Sequence, residues 1–251
     1  MFNVENEVNN IISFIKDYFD KNKLKGVVIG ISGGKDSAVV SALFSKALGS
    51  ENVLGVTLPC HSNNEDMEDA RKVADKYGFE LINVDLTSSY DSFLTEINKL
   101  GKYDSNELKN STINIKPRFR MSSLYFLAAL YSEIKHGTYI VSGTSNKCEL
   151  YVGYFTKGGD STYDIGILND FTVSEVIKIG EYLEVPECVL YKAPSDGLSN
   201  QTDEEKLGVK YSDIEAYLNG KELDEKVKNK IEKLHNSSNH KFNVPVYKRE
   251  V

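Results

Sequence analysis

The chain has 251 residues and a formal charge of -7 at pH 7, with 30 basic against 37 acidic side chains. It is long enough to bury a sizeable core as a single domain spanning 1–251, and its acidic balance disfavours a nucleic-acid partner, which would need a basic stripe. No apolar run is long enough for a membrane span, and Met1-Phe2-Asn3-Val4-Glu5 lacks the basic start of a signal peptide, so a cytoplasmic location without a membrane partner is expected. Cys60, Cys148 and Cys188 are odd in number and widely spaced, which predicts reduced, structural thiols.

Val4, Val8, Ile11, Ile15, Tyr18 and Phe19 recur at three- and four-residue steps and predict an amphipathic helix over 4–22. The next stretch is Gly26-Val27-Val28-Ile29-Gly30-Ile31-Ser32-Gly33-Gly34-Lys35-Asp36-Ser37. Its β-branched run meets a glycine pair, and an Ala/Val-rich helical pattern then continues to Gly49, which predicts strand, tight turn and helix. Such a turn binds anions, because glycine lets the backbone approach a ligand and the first helical N–H groups have no partner within the helix. The spacings of the Walker loop and of the dinucleotide turn are both absent. Ser-Gly-Gly-x-Asp-Ser instead resembles the PP-loop of the ATP pyrophosphatases, which split ATP into AMP and pyrophosphate. That resemblance implies that Ser32, Ser37 and the amides around Gly33 and Gly34 cradle the pyrophosphate, while Asp36 holds Mg²⁺.

Farther along, Val53–Leu58 predicts a second strand, ended by Pro59. Ser62 and Glu65 form a capping-box pattern opening a helix that ends at Gly78, and Leu81, Ile82, Val84 and Leu86 predict strand three. Tyr90, Phe93, Leu94 and Ile97 predict a helix, and Gly101–Ser111 a polar loop that is expected, with Ser195–Thr202, to act as a mobile lid. A long apolar helix is expected over 117–135, starting near Pro117. Its stripe of Met121, Leu124, Tyr125, Ala128 and Tyr131 reads as core or subunit interface. Tyr139–Val141 predict strand four, ending at Gly143. The alternation predicts an α/β fold, a Rossmann-like parallel sheet with helices on both faces, whose ligand lies beyond the carboxyl ends of the strands; the PP-loop resemblance implies that the fold is adenine nucleotide alpha hydrolase-like.

The second half carries Gly143-Thr144-Ser145-Asn146-Lys147-Cys148-Glu149, then Gly153-Tyr154-Phe155-Thr156-Lys157-Gly158-Gly159-Asp160 and Asp164-Ile165. Later come Lys192-Ala193-Pro194-Ser195-Asp196-Gly197-Leu198 and Gln201-Thr202-Asp203-Glu204. Together with Lys116-Pro117-Arg118-Phe119-Arg120-Met121 and the opening loop, this order resembles the ammonia-dependent NAD synthetases from about residue 26 to 245. The resemblance implies that the nicotinate carboxylate of deamido-NAD attacks the α-phosphorus of ATP, expelling pyrophosphate, and that ammonia then displaces AMP from the acyl adenylate. It implies a homodimer, ATP contacts from Gly30, Ile31, Ser32, Gly33, Gly34, Lys35, Asp36, Ser37, Thr144 and Ser195, and Mg²⁺ ligation by Asp36 and Glu149. Arg118, Lys157, Asp164, His240 and Lys241 match the deamido-NAD contacts. Asp36, Glu149 and Asp164 are the residues assigned to catalysis, with Asp160 or Asp164 taking the proton from ammonium.

Each residue also has a plainer reading. Glu149 fits a helix cap or a partner for Lys147, Asp164 a turn, and His240 and Lys241 a solvated tail; Arg120 is assigned to the surface. The resemblance breaks at Val173, where the family pattern has an ATP-binding lysine that Lys178 or Lys192 would replace, and also at Lys35 and Gly158. The alternatives are a non-catalytic nucleotide-binding module and a PP-loop pyrophosphatase acting on another acceptor, such as tRNA.

Overall fold

The computed structural model describes residues 2–62, 64–101, 109–193 and 202–249. The first half runs α1 (Val4–Asn22), β1 (Leu24–Gly30), α2 (Lys35–Leu48), β2 (Val53–Thr57), α3 (Asn64–Tyr77), β3 (Glu80–Asn83), α4 (Thr87–Asn98), α5 (Lys109–Ile134) and β4 (Thr138–Gly143). Then follow α6 (Lys147–Val152), β5 (Ile165–Gly166), α7 (Val173–Tyr182), α8 (Glu187–Leu190), α9 (Asp203–Leu207), α10 (Tyr211–Leu218) and α11 (Glu225–Phe242).

The five strands form one parallel sheet in the order β3-β2-β1-β4-β5. Its centre is apolar on both sides because helices cover both faces. Val27 and Ile29 of β1 point into a cluster with α1, α2 and α7, whereas Val28 between them joins Leu54, Val56, Val141 and the α4 and α5 side chains. A third cluster, built from α6, α9, α10 and α11 around Cys148, Ile214 and Ile231, extends the fold beyond the strands. The chain builds from β1 outward to β3, then returns to add β4 on the other side of β1. The loops after β1 and β4 therefore diverge and leave a crevice at the carboxyl edge, where open α/β sheets bind ligands.

Several boundaries differ from the sequence expectation. Helix α5 starts at Lys109, and Pro117 lies inside it. Proline lacks an N–H and ordinarily marks a helix start, so in the sequence the turns ahead of it look like loop. Residues 102–108 and 194–201 lie outside the described residues, and with them most of both expected lids. Strand β3 stops at Asn83, although the N–H groups of Val84 and Leu86 still donate to Thr57 O and Pro59 O at 2.9 and 2.8 Å. Helix α3 runs from Asn64, next to residue 63, which lies outside the described residues, and the described hydrogen bonds of Ser62 do not go to its first turn. The Ser62 hydroxyl instead accepts the Cys60 N–H at 3.1 Å and a guanidinium N–H of Arg120 at 3.4 Å. Of the three thiols, Cys60 and Cys148 are buried but Cys188 is exposed.

The Phe19 and Phe44 rings are fully buried and meet edge to face at 6.0 Å, joining α1 to α2 behind the β1 loop. Phe44→Ala is expected to destabilise the fold by about 3 to 5 kcal/mol, read as a lower urea midpoint at unchanged slope.

Candidate active site

The loop between β1 and α2 is braced from within. The Ser32 N–H donates to Ser37 Oγ at 3.2 Å, the Gly34 N–H to Ser32 Oγ at 3.3 Å, and the Ser37 hydroxyl to Gly34 O at 3.0 Å. Gly33 has φ +78°, and a β-carbon there would stand 2.5 Å from Asp66 O, so only glycine fits between the loop and α3. No side chain caps α2, whose first turn opens on a cleft of about 310 Å³. Gly30, Ile31, Ser32, Gly33, Gly34, Lys35, Asp36 and Ser37 all line that cleft, and so do Thr144 and Glu149 from across the sheet. Ser195 lies outside the described residues.

Asp36 and Glu149 come from opposite sides of the crevice and meet through Asn146. This buried residue is the N-cap of α6: its Oδ1 accepts the N–H groups of Cys148 and Glu149 at 3.0 and 3.1 Å, while its own N–H donates to Glu149 Oε2 at 3.0 Å. Its side-chain amide N–H donates to Asp36 Oδ1 at 3.2 Å. Glu149 is thus both a cap and a cleft residue, whereas Lys147 pairs elsewhere, with Asp170 at 2.8 Å. Burial first, then the like charge of Asp36, pushes Glu149 well above the ordinary carboxylate range. Two hard carboxylates beside the open first turn of a helix suit Mg²⁺, which commonly takes its remaining ligands from phosphate and water. Among the described residues no group of three or more His, Cys, Asp or Glu side chains closes an all-protein cage.

The structure also brings in residues that the sequence analysis left aside. Arg120, assigned to the surface, lines the cleft and donates Nε–H to Leu58 O at 3.1 Å, because α5 carries it across the end of β2. Met121 and Leu124, expected in core or interface, form part of the cleft wall. Asp203 at the start of α9 reaches the same cleft and accepts the Tyr154 hydroxyl at 3.0 Å. Asp160, by contrast, is one of the two carboxylates already named for the ammonium proton; it lines the cleft too and accepts the Thr156 N–H at 2.7 Å.

Asp164 does not line the cleft. Its carboxylate accepts the Val141 N–H at 2.8 Å and the Tyr125 hydroxyl at 3.1 Å, tying α5 to the sheet edge. The other four expected substrate contacts stand together outside the cleft wall. Arg118 donates to Lys157 O at 3.3 and 3.2 Å, Lys157 Nζ to His240 O at 2.6 Å, and Lys241 Nζ to Gly153 O and Phe155 O at 2.7 Å. His240 and Lys241 belong to the last turn of α11, not to a solvated tail. Burial holds the Lys241 ammonium below the ordinary lysine value, against the opposing pull of Asp160. Val173 packs with the third cluster, and Lys178 lies over the Phe2 ring at 5.8 Å, away from the cleft. Of the two lysines suggested as replacements, Lys192 is the one that lines the cleft; Asp66 and Asp69 grip it at 2.9 and 2.7 Å.

The NAD synthase family model matches residues 7–245. The chain is 39% identical over 244 residues to the NH(3)-dependent NAD(+) synthetase of Alkaliphilus metalliredigens, covering 95% of this chain and 96% of that one. Among solved structures, an NMN synthetase from Francisella tularensis superposes with a TM-score of 0.89 at 33% identity, covering both chains in full. The NH3-dependent NAD synthetase of Campylobacter jejuni gives 0.77 at 28% identity, covering 99% of this chain and 100% of that one.

Because the folded protein holds the Glu149 proton more tightly than the unfolded chain does, this group's stabilising contribution is full at low pH. It falls as pH rises from the ordinary value of 4.5 toward the raised folded value. Glu149→Gln keeps an acceptor for the Asn146 N–H and is expected to raise Tm in metal-free buffer at about pH 7.5, with no gain at about pH 4. Asn146→Ala removes the cap and is expected to cost about 1 to 2 kcal/mol in urea denaturation.

Proposed function

Since the chain belongs to the NAD synthase family, we propose that this cleft is where ATP activates deamido-NAD and where ammonia completes the amide of NAD. The chain is an ammonia-dependent NAD-forming ligase, and neither the non-catalytic module nor the pyrophosphatase with another acceptor is favoured by its relatives. The observation that carries the reading is the convergence of the β1 loop with Asp36 and Glu149 from two diverging strand ends.

The triphosphate lies against the N–H groups of the first turn of α2, with Ser32 and Ser37 beside it. Asp36 and Glu149 would hold Mg²⁺, which would supply charge neutralisation at the phosphate oxygens. A nicotinate carboxylate oxygen attacks the α-phosphorus, the bond to the bridging oxygen breaks, and pyrophosphate leaves with that electron pair. Ammonia then adds to the acyl carbon, AMP departs, and a proton passes from nitrogen to a nearby base. Asp160 is the carboxylate we assign to that proton, because it lines the cleft and Asp164 does not. The reaction needs placement and charge neutralisation, with the substrate's own carboxylate as nucleophile. Arg118, Lys157, His240 and Lys241 form the flank that receives the rest of deamido-NAD.

The protein works as a homodimer in this proposal, and the exposed Phe126 and Ile134 on α5 are the apolar surface that supports it. Its cytoplasmic placement rests on the same reading, since ATP and deamido-NAD are small soluble metabolites, and among the described residues no helix is long and apolar enough to cross a membrane.

A second reading keeps the chemistry and shortens the acceptor, and it is favoured by the full-length match to the Francisella tularensis NMN synthetase. There the nicotinate mononucleotide would be amidated. Comparing kcat/KM for the mononucleotide and deamido-NAD separates the two.

With deamido-NAD, ATP, Mg²⁺ and ammonium, the folded protein is expected to form NAD, AMP and pyrophosphate in equal amounts. Asp36→Asn and Glu149→Gln should each lower kcat by roughly a hundredfold or more, the scale of losing one preorganised charge contact in a transition state. Undiminished pyrophosphate release by both variants would overturn the assignment.

A further inference from the structure

Lys35 is the first residue of α2, and its side chain turns inward with only 7% of its surface exposed, unlike a lysine on an outer helix face. Nζ stands 2.9 Å from Asp36 Oδ2, on the carboxylate whose other oxygen is held by Asn146. Glu149 and Asp203 are the next charges felt by the ammonium. A buried cation thus sits among three carboxylates in a cleft that is to receive a multiply charged anion.

That position is incompatible with a divalent ion on Asp36. Ammonium and metal would share one carboxylate at hydrogen-bond distance, and their repulsion is steep where water is scarce. The lysine arm is flexible, and its root lies in the loop whose amides face the cleft, so the ammonium has a second place to go: the phosphate oxygens. Lys192 is held differently, between Asp66 and Asp69 on α3.

We infer that Lys35 is a two-position cation, occupying the metal carboxylate Asp36 while the cleft is empty and transferring to the pyrophosphate oxygens of ATP when metal and nucleotide enter together. This rests on the reading of the cleft as an ATP site and adds an order of events to it. The ammonium keeps free metal off Asp36, so metal enters on the nucleotide, and the ion pair broken at Asp36 is replaced by one with phosphate. Burial acts to lower the pKa of Lys35, but Asp36, Glu149 and Asp203 outweigh it and keep the group charged, as both positions require.

The test reads two affinities that should move in opposite directions. Lys35→Met is expected to bind Mn²⁺ alone, followed by electron paramagnetic resonance, about tenfold more tightly than the unsubstituted protein. It should bind the Mg²⁺ complex of a non-hydrolysable ATP analogue, followed by calorimetry, about tenfold more weakly, the scale of one charge-assisted hydrogen bond. Lys35→Arg should restore analogue binding, and in an Asp36→Asn background the gain in Mn²⁺ affinity should vanish. Lys35→Gln replaces the methionine variant if that protein does not fold. Parallel weakening of both ligands, or no change in either, overturns the inference. Failure of the unsubstituted protein to bind the analogue with Mg²⁺ would instead sink the ATP site itself.

Discussion

Asn146 is the point where the two halves of the site become one object. With its side chain it caps α6, orienting Glu149, and with the same amide group it reaches across the crevice to Asp36. Strand ends that diverge at a switch point do not by themselves fix the distance between their loops. A buried amide with its oxygen and nitrogen both engaged does so, because any drift of one loop leaves a polar group unsatisfied.

The same closeness loads the cleft with negative charge before any ligand arrives. Asp36, Asp66, Glu149, Asp160 and Asp203 line it, and only part of that charge is offset by Lys35, Arg120 and Lys192. The buried Tyr211 hydroxyl has no partner among the described residues; burial first, then Glu149, Asp203 and Asp36, acts to keep it protonated. Such an arrangement spends stability on function: it is tolerable empty because one buried carboxyl can stay protonated, and under the proposed function it would become favourable when cations arrive with the anion.

Much of this was legible in the chain itself. The glycine pair, the β-branched run before it and the Thr144-Ser145-Asn146 turn are local signals, and each places its residue at a strand end whatever the rest of the fold does. What stayed hidden depends on registration between distant segments. Arg120 looks superficial in the sequence because nothing in its neighbours announces that α5 crosses the end of β2, and the early turns of α5 are masked by Pro117. Asp164 matches a motif, and its carboxylate also accepts hydrogen bonds from Val141 and Tyr125, a use that spacing cannot reveal. Strand β5 is two residues long, too short for any alternation to register.

Helix α6 shows why the C-terminal helices belong to the site although most of them never touch it. Six residues cannot hold a helix in isolation, so the position of Glu149 depends on what α6 packs against. Its end, Gly153, adopts φ +67°, and a β-carbon there would fall 2.0 Å from that of Ser238 on α11, so the two helices are in closest approach at that point. Lys241, one turn farther along α11, closes the contact by donating to the carbonyls of Gly153 and Phe155. The segment 153–157 is therefore clamped between the carboxylate at one end and Arg118 and His240 at the other. Helix α11 thus packs on the helix that carries Glu149 and is hydrogen-bonded to the segment that follows it, so the third cluster positions both.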